Sequence, residues 1–227
     1  MPKKPTICKA AKMRRKSMEL IYEAYKKQIY SFCLLLANSE EAAKEITKRS
    51  LSEAWDELKS YTPSEDEDFY NLVIKKAAVM CLEVCPVDCN AFKNIKNEAL
   101  LKIDIEREKY TGNAAEGYSL YKTATAKASR ENMALIILFF AGRLDYKSIS
   151  KVLNIRKGVL KGVFENAAAN LSRALQKVDI NGARIHTPTV NQLRSFYREY
   201  AKTISFPEEL DKECLLDIKK KSKFRLW

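Results

Sequence analysis

Apolar residues recur at steps of three and four along most of this chain. The first long stretch begins near Ser17, where Ile21, Tyr25, Ile29, Phe32, Cys33 and Leu36 share one side through Ala37. That spacing predicts an amphipathic helix with one stripe turned toward a core. Asn38 and Ser39 stop it and cap the next helix, with Glu41 placed to complete a capping box on Asn38. The second helix runs to about Leu58, with Ala43, Ile46, Leu51, Ala54, Trp55 and Leu58 inward. Its other side is charged: Lys44, Glu45, Lys48, Arg49, Glu53, Asp56 and Glu57. After a loop around Pro63, acidic residues from Glu65 to Asp68 favour a helix N-terminus. The third helix turns Phe69, Leu72, Val73, Ala77, Met80, Cys81 and Val84 inward, and Pro86 ends it.

The pattern weakens over residues 86–128. Asn97 to Tyr110 reads as helical, whereas Thr111-Gly112-Asn113 and Glu116-Gly117 read as a connection. From Ser129 a helix carries Met133, Ile136, Ile137 and Phe140 and stops at Gly142. Asp145 then caps a short helix with Ile149, Val152 and Leu153 on its apolar side. Asn154-Ile155 interrupts the period, and a longer helix follows with Val159, Leu160, Val163, Ala167, Leu171 and Leu175. Two helices, a turn of a few residues and a buried Ile in that turn make a helix-turn-helix. Beyond Lys177, Asn181-Gly182, His186 and Pro188 mark a boundary. Thr189 to Thr203 is one more helix (Val190, Leu193, Phe196, Tyr197, Tyr200), and the chain closes with the basic run KKKSKFRLW. No alternating run is long enough to argue for a sheet, so the fold class is all-α.

Charge changes this picture because of where it lies. The net charge is +12. Residues 1–30 hold nine Lys/Arg against two acids, residues 143–177 eight against two, and residues 212–227 six against two. The basic excess therefore sits at both ends and on the helix-turn-helix, a distribution suited to phosphate. Residues 1–17 read as a poorly ordered basic arm. The longest apolar run, Met133 to Ala141, falls short of the roughly 20 residues that span a bilayer. A cytoplasmic protein without membrane insertion is expected, with its six cysteines kept as thiols.

Candidate chemistry adds little beyond nucleic-acid binding. Cys81, Cys85 and Cys89 are four apart, but Pro86 breaks their helix and the spacing matches no zinc pattern. His186 has no catalytic partner, and no carboxylate pair, nucleophile–base set or phosphate-cradling Gly loop is present. No enzyme, metal or cofactor is expected. Arg156, Lys157 and Lys161 open the second helix of the helix-turn-helix, where such units meet a major groove. Tyr70, beside Lys75 and Lys76, could stack an unpaired base.

The order of these parts carries a resemblance. The stretch LIYEAYKKQIYSFCLLLANSEEAAKEITKRSLSEAW, a connection, and then the helix-turn-helix resemble an RNA polymerase sigma factor of the extracytoplasmic-function type. The resemblance covers about residues 18–85 (region two) and 129–177 (region four). It implies a factor that binds core RNA polymerase and directs it to promoter DNA, with room for an anti-sigma regulator as a further partner. By position, the polymerase contact falls on Glu45, Ile46, Lys48 and Arg49. The strand-opening surface falls on Tyr70, Asn71, Lys75 and Lys76, and the upstream-element reader on Arg156, Lys157, Val159 and Lys161. The expected organisation is an arm at 1–17, a region-two-like domain at 18–92, a linker at 93–128 and a region-four-like domain at 129–178, followed at 179–227 by a C-terminal helical extension with a basic tail that the family does not account for.

The chain departs from that family at several contacts. Lys48-Arg49 stands where an acidic or amide pair is usual, and Leu72 and Val79 stand where a Trp and an Asn are usual. Val163, Asn166, Ala168 and Asn170 replace basic residues of the long helix. Two rival expectations follow. One is a sigma-like interaction protein that binds polymerase or a regulator without opening promoters. The other is a stand-alone helix-turn-helix regulator.

Overall fold

The structure, a computed structural model, describes residues 9–58, 66–88, 109–110, 130–163, 179–180, 183–184 and 190–223. Helices dominate it, so the chain is all-α as its periodicity implies. The chain divides into two compact units: Met1–Pro86 with Ile204–Trp227, and Val87–Thr203.

The first unit is built on α1 (Arg15–Ala37), α2 (Glu40–Glu57) and α3 (Asp66–Val84), each packed on the other two. Ile21, Ile29, Phe32, Cys33 and Leu36 of α1 are buried, as are Ala43, Leu51, Ala54 and Trp55 of α2. Trp55 stacks on Phe69 of α3 with ring centroids 4.2 Å apart. Each such large side chain contributes about 1.5–3 kcal/mol by leaving water. Cys81 is buried and its thiol lies 3.9 Å from the Cys33 carbonyl, so it is a core residue. The corner between α1 and α2 differs by one residue from the expected capping box. Asn38 takes the left-handed conformation (φ 55°) and closes α1, and Ser39 caps α2 by accepting from the Ala42 N–H at 3.3 Å. Asn tolerates that backbone better than most residues, so it ends one helix rather than starting the next. Within the expected basic arm, residues 9–11 form a helical turn and Ala10 and Met13 are buried.

A further helix, unforeseen in the sequence, completes this unit and is α8 in chain order (Glu208–Lys223). It packs on α1 and α2. Pro207 precedes it, and Glu208, Glu209 and Asp211 occupy its first turn, where acids complement the helix dipole.

In the second unit, α4 (Arg130–Ile136) widens into a π-helical segment at Ile137–Ala141. Ala134 through Phe140 are all buried, the pattern of a helix surrounded by protein. The stop falls at Gly142 as expected, but the left-handed residue is the following Arg143 (φ 54°). The helix-turn-helix comprises α5 (Tyr146–Val152) and α6, described over 157–163. α7 (Val190–Thr203) packs on the π segment, with the Arg194 guanidinium over the Phe139 ring at 5.2 Å. Three two-residue strands add a minimal sheet: Lys109–Tyr110 pairs parallel with Asp179–Ile180, which pairs antiparallel with Ala183–Arg184. Residues 109–110 thus depart from the helix expected over 97–110, whose remainder lies outside the described residues.

Candidate functional site

The helix-turn-helix is built from its cap inward. Asp145 accepts from the Ser148 N–H at 2.7 Å and starts α5. Ile149 and Leu153 are buried, Asn154 turns the chain in the left-handed region (φ 51°), and Ile155 is buried in the turn. The Ser150 hydroxyl donates to the Ile155 carbonyl across the turn and fixes its closure. Leu160 and Val163 bury the inner side of α6. That leaves Arg156, Lys157 and Lys161 exposed at its start, with Val159 exposed among them. No side chain is present at Gly158 or Gly162, and the space around both is open. The four residues expected to read DNA are therefore each exposed, Arg156 just before α6 and Lys157, Val159 and Lys161 within its first turns. Ala167, Leu171 and Leu175, expected to continue this helix inward, lie outside the described residues, as does His186.

The surface expected to open DNA strands is not assembled on α3. Tyr70 is only 1% exposed and lies against Tyr25, ring centroids 5.3 Å apart. A base cannot stack there. The buried face of α3 is two residues wide (Phe69 and Tyr70, Val73 and Ile74, Ala77 and Ala78), which draws Tyr70 inside. Asn71 is partly buried, its Oδ1 without a hydrogen-bond partner. The Lys76 ammonium is 2.8 Å from Glu57 and 3.9 Å from Glu53, so its charge is already countered. Only Lys75 of the four is exposed.

The expected polymerase contact on α2 splits in a similar way. Ile46 is buried and belongs to the core. Glu45, Lys48 and Arg49 remain on the surface but carry ion pairs. Lys48 lies 3.0 Å from Glu213 and 3.7 Å from Glu45, and Arg49 lies 3.1 Å from Glu53. Glu213 holds the Lys48 ammonium above its ordinary pKa by hydrogen bonding.

Glu213 belongs to α8, whose docking residues sequence periodicity did not single out. Phe206, just before α8, sets its ring edge-on to Tyr22 (6.3 Å) and Tyr30 (5.5 Å). Leu210, Cys214 and Ile218 follow at four-residue steps and are buried. Beside this seam the Tyr22 hydroxyl and the Lys26 ammonium donate to the same oxygen of Asp211, at 2.7 and 2.8 Å. Lys221 reaches Asp56 at the far end. Burial raises the Tyr22 phenol well above its usual range, with Cys214 and Asp211 adding to the effect. Burial also pushes the Cys214 thiol up to about 12. For Asp211, burial alone would raise the carboxyl, but the hydrogen bonds from Lys26 and Tyr22 outweigh it and hold the group below its usual value.

Among the described residues no group of His, Cys, Asp and Glu could hold a metal ion, and no helix is long and apolar enough to cross a membrane. The chain matches no protein-family model and no curated protein sequence.

Proposed function

We propose that this chain is a sigma-type transcription initiation factor that binds core RNA polymerase and brings it to promoter DNA. The observation that carries the reading is the helix-turn-helix, whose hydrophobic turn leaves Arg156, just before α6, and Lys157 and Lys161, within it, exposed. Side chains at the start of such a helix reach base edges and flanking phosphates in a major groove. The first unit supplies the polymerase contact through the exposed side of α2, around Glu45, Lys48 and Arg49.

Burial of Tyr70 and pairing of Lys76 favour a second reading in which polymerase is bound but promoters are not opened. In vitro transcription with core polymerase on pooled genomic fragments separates the two. The sigma reading expects discrete start sites that vanish in the Arg156→Ala/Lys157→Ala/Lys161→Ala variant. Polymerase binding without transcripts favours the interaction protein. Neither transcripts nor polymerase binding leaves a helix-turn-helix regulator, or a shared fold alone.

A further inference from the structure

We propose that α8 is a resident occupant of the polymerase-facing side of the first unit, so that polymerase docks there only by displacing it. The inference rests on the sigma-type reading above and adds regulation to its polymerase site.

Three observations meet on this helix. First, α8 uses residues of the surface in question. Glu213 takes the Lys48 ammonium, and Glu213, Leu216 and Asp217 form one wall of an open cleft whose other wall is Glu45, Lys48 and Arg49. A partner seated on that side of α2 meets α8 at once. Second, α8 is suited to release. Its buried seam carries one apolar residue per turn, whereas α1 to α3 bury broader faces. The Lys48–Glu213 and Lys221–Asp56 pairs are partly exposed to solvent, and such pairs are weak and screened by salt. Third, α8 is acidic over its first half and leaves Leu216 half exposed (50%) on the cleft wall. An acidic amphipathic helix beside Lys48 and Arg49 supplies the negative charge that a competing partner must replace. A self-occupied surface of this kind holds the free protein in a low-affinity state, and the cost of displacing α8 lowers the apparent affinity in proportion.

The test compares the full-length chain with Leu210→Asp/Ile218→Asp, which breaks the seam, and with Glu213→Lys, which sets like charge against Lys48 and leaves the seam intact. Amide hydrogen exchange over 208–223 reports release of α8, circular dichroism reports the fold of the remainder, and titration with core polymerase reports affinity. The expected result is exchange at least tenfold faster in α8 of the seam variant, with polymerase binding about tenfold tighter, and a smaller gain in both for Glu213→Lys. In the wild-type complex the α8 amides lose protection. If the seam variant fails to fold, Glu213→Lys and the exchange of the wild-type complex still decide. A released α8 with unchanged or weaker polymerase binding overturns the inference while leaving the sigma-type reading intact, because α8 is then a bystander or part of the docking surface. Absence of polymerase binding by wild type and variants alike overturns the sigma-type reading, and the inference with it.

Discussion

Two basic surfaces of this protein look alike in the sequence and differ in the structure. On the first unit, Lys48, Arg49 and Lys76 each sit beside carboxylates, from Glu45, Glu213, Glu53 and Glu57. On the second unit, Arg156 and Lys157 are exposed and form no ion pair among the described residues. Formal charge is thus a poor guide to available charge. A cation already paired with a carboxylate must give up that partner before it can neutralise a phosphate, whereas an unpaired one releases a counterion directly. Under the proposed function, Arg156 and Lys157 can meet phosphate without first giving up a carboxylate.

The largest effect that would break this comparison lies in DNA binding. Arg156→Ala/Lys157→Ala/Lys161→Ala should weaken binding to a promoter fragment by about 100-fold or more, since a single base contact contributes about 1–3 kcal/mol. Its salt dependence should flatten as well. Lys48→Ala/Lys76→Ala should change the same titration by no more than about threefold. Fluorescence anisotropy at several salt concentrations checks both, and a comparable loss from the two variants would erase the distinction between the surfaces.

Next in size is the pH response of the paired region. The Asp211 carboxylate is held below its ordinary value of 3.8, so its contribution to α8 docking is complete above that pH and lost as pH falls through the lower docked value. Cys214 and Tyr22 act in the opposite direction, because docking favours their protonated forms. Their contribution is complete below the ordinary value of 9.0 for Cys214 and 10.0 for Tyr22, and fades above it, up to about 12 for Cys214. Stability of the first unit, followed by melting temperature, should therefore be flat near neutrality and decline on both sides. Asp211→Asn should remove much of the acid limb.

Smaller effects separate the two units further. Asp145→Ala removes the cap of α5 and should cost the helix-turn-helix about 1 kcal/mol, read by denaturant titration. In the first unit, the buried Thr47 hydroxyl has no hydrogen-bond partner. Thr47→Val keeps the shape and removes the unsatisfied group, so it should be neutral or stabilising by up to about 1 kcal/mol in the same assay.

What could be read beforehand follows the strength of each local signal. The helix-turn-helix was legible because Asp145, Ile149, Leu153 and Ile155 each have a single good explanation, and they agree. Tyr70 was misread because a helix buried on a wide face and one buried on a narrow stripe share the same period. Only the adjacent pairs Val73-Ile74 and Ala77-Ala78 distinguish them. Asn38 and Ser39 are both good cap residues, and the choice between them depends on backbone geometry. Asn181-Gly182, between two of the short strands, carries a hairpin signal, but its flanking runs are too short to have been recognised. The C-terminal helix was obscured by its lysines. It buries one apolar residue per turn (Leu210, Cys214, Ile218) and runs into KKKSKFRLW, which reads as a tail, although Pro207 and the first-turn acids mark a helix start.

The position of α8 in the chain has a consequence for synthesis. The hydroxyl of Tyr22 finds its partner in Asp211, 189 residues later. Residues 1–86 leave the ribosome first, and the 117 residues of the second unit must be translated before Phe206 can reach Tyr22 and Tyr30. At about 5–20 residues per second, that leaves the seam of α1 and α2 uncovered for roughly 6 to 23 seconds. During that interval the nascent first unit exposes an apolar groove that the finished protein closes. It is then open to chaperones and to other nascent copies of itself.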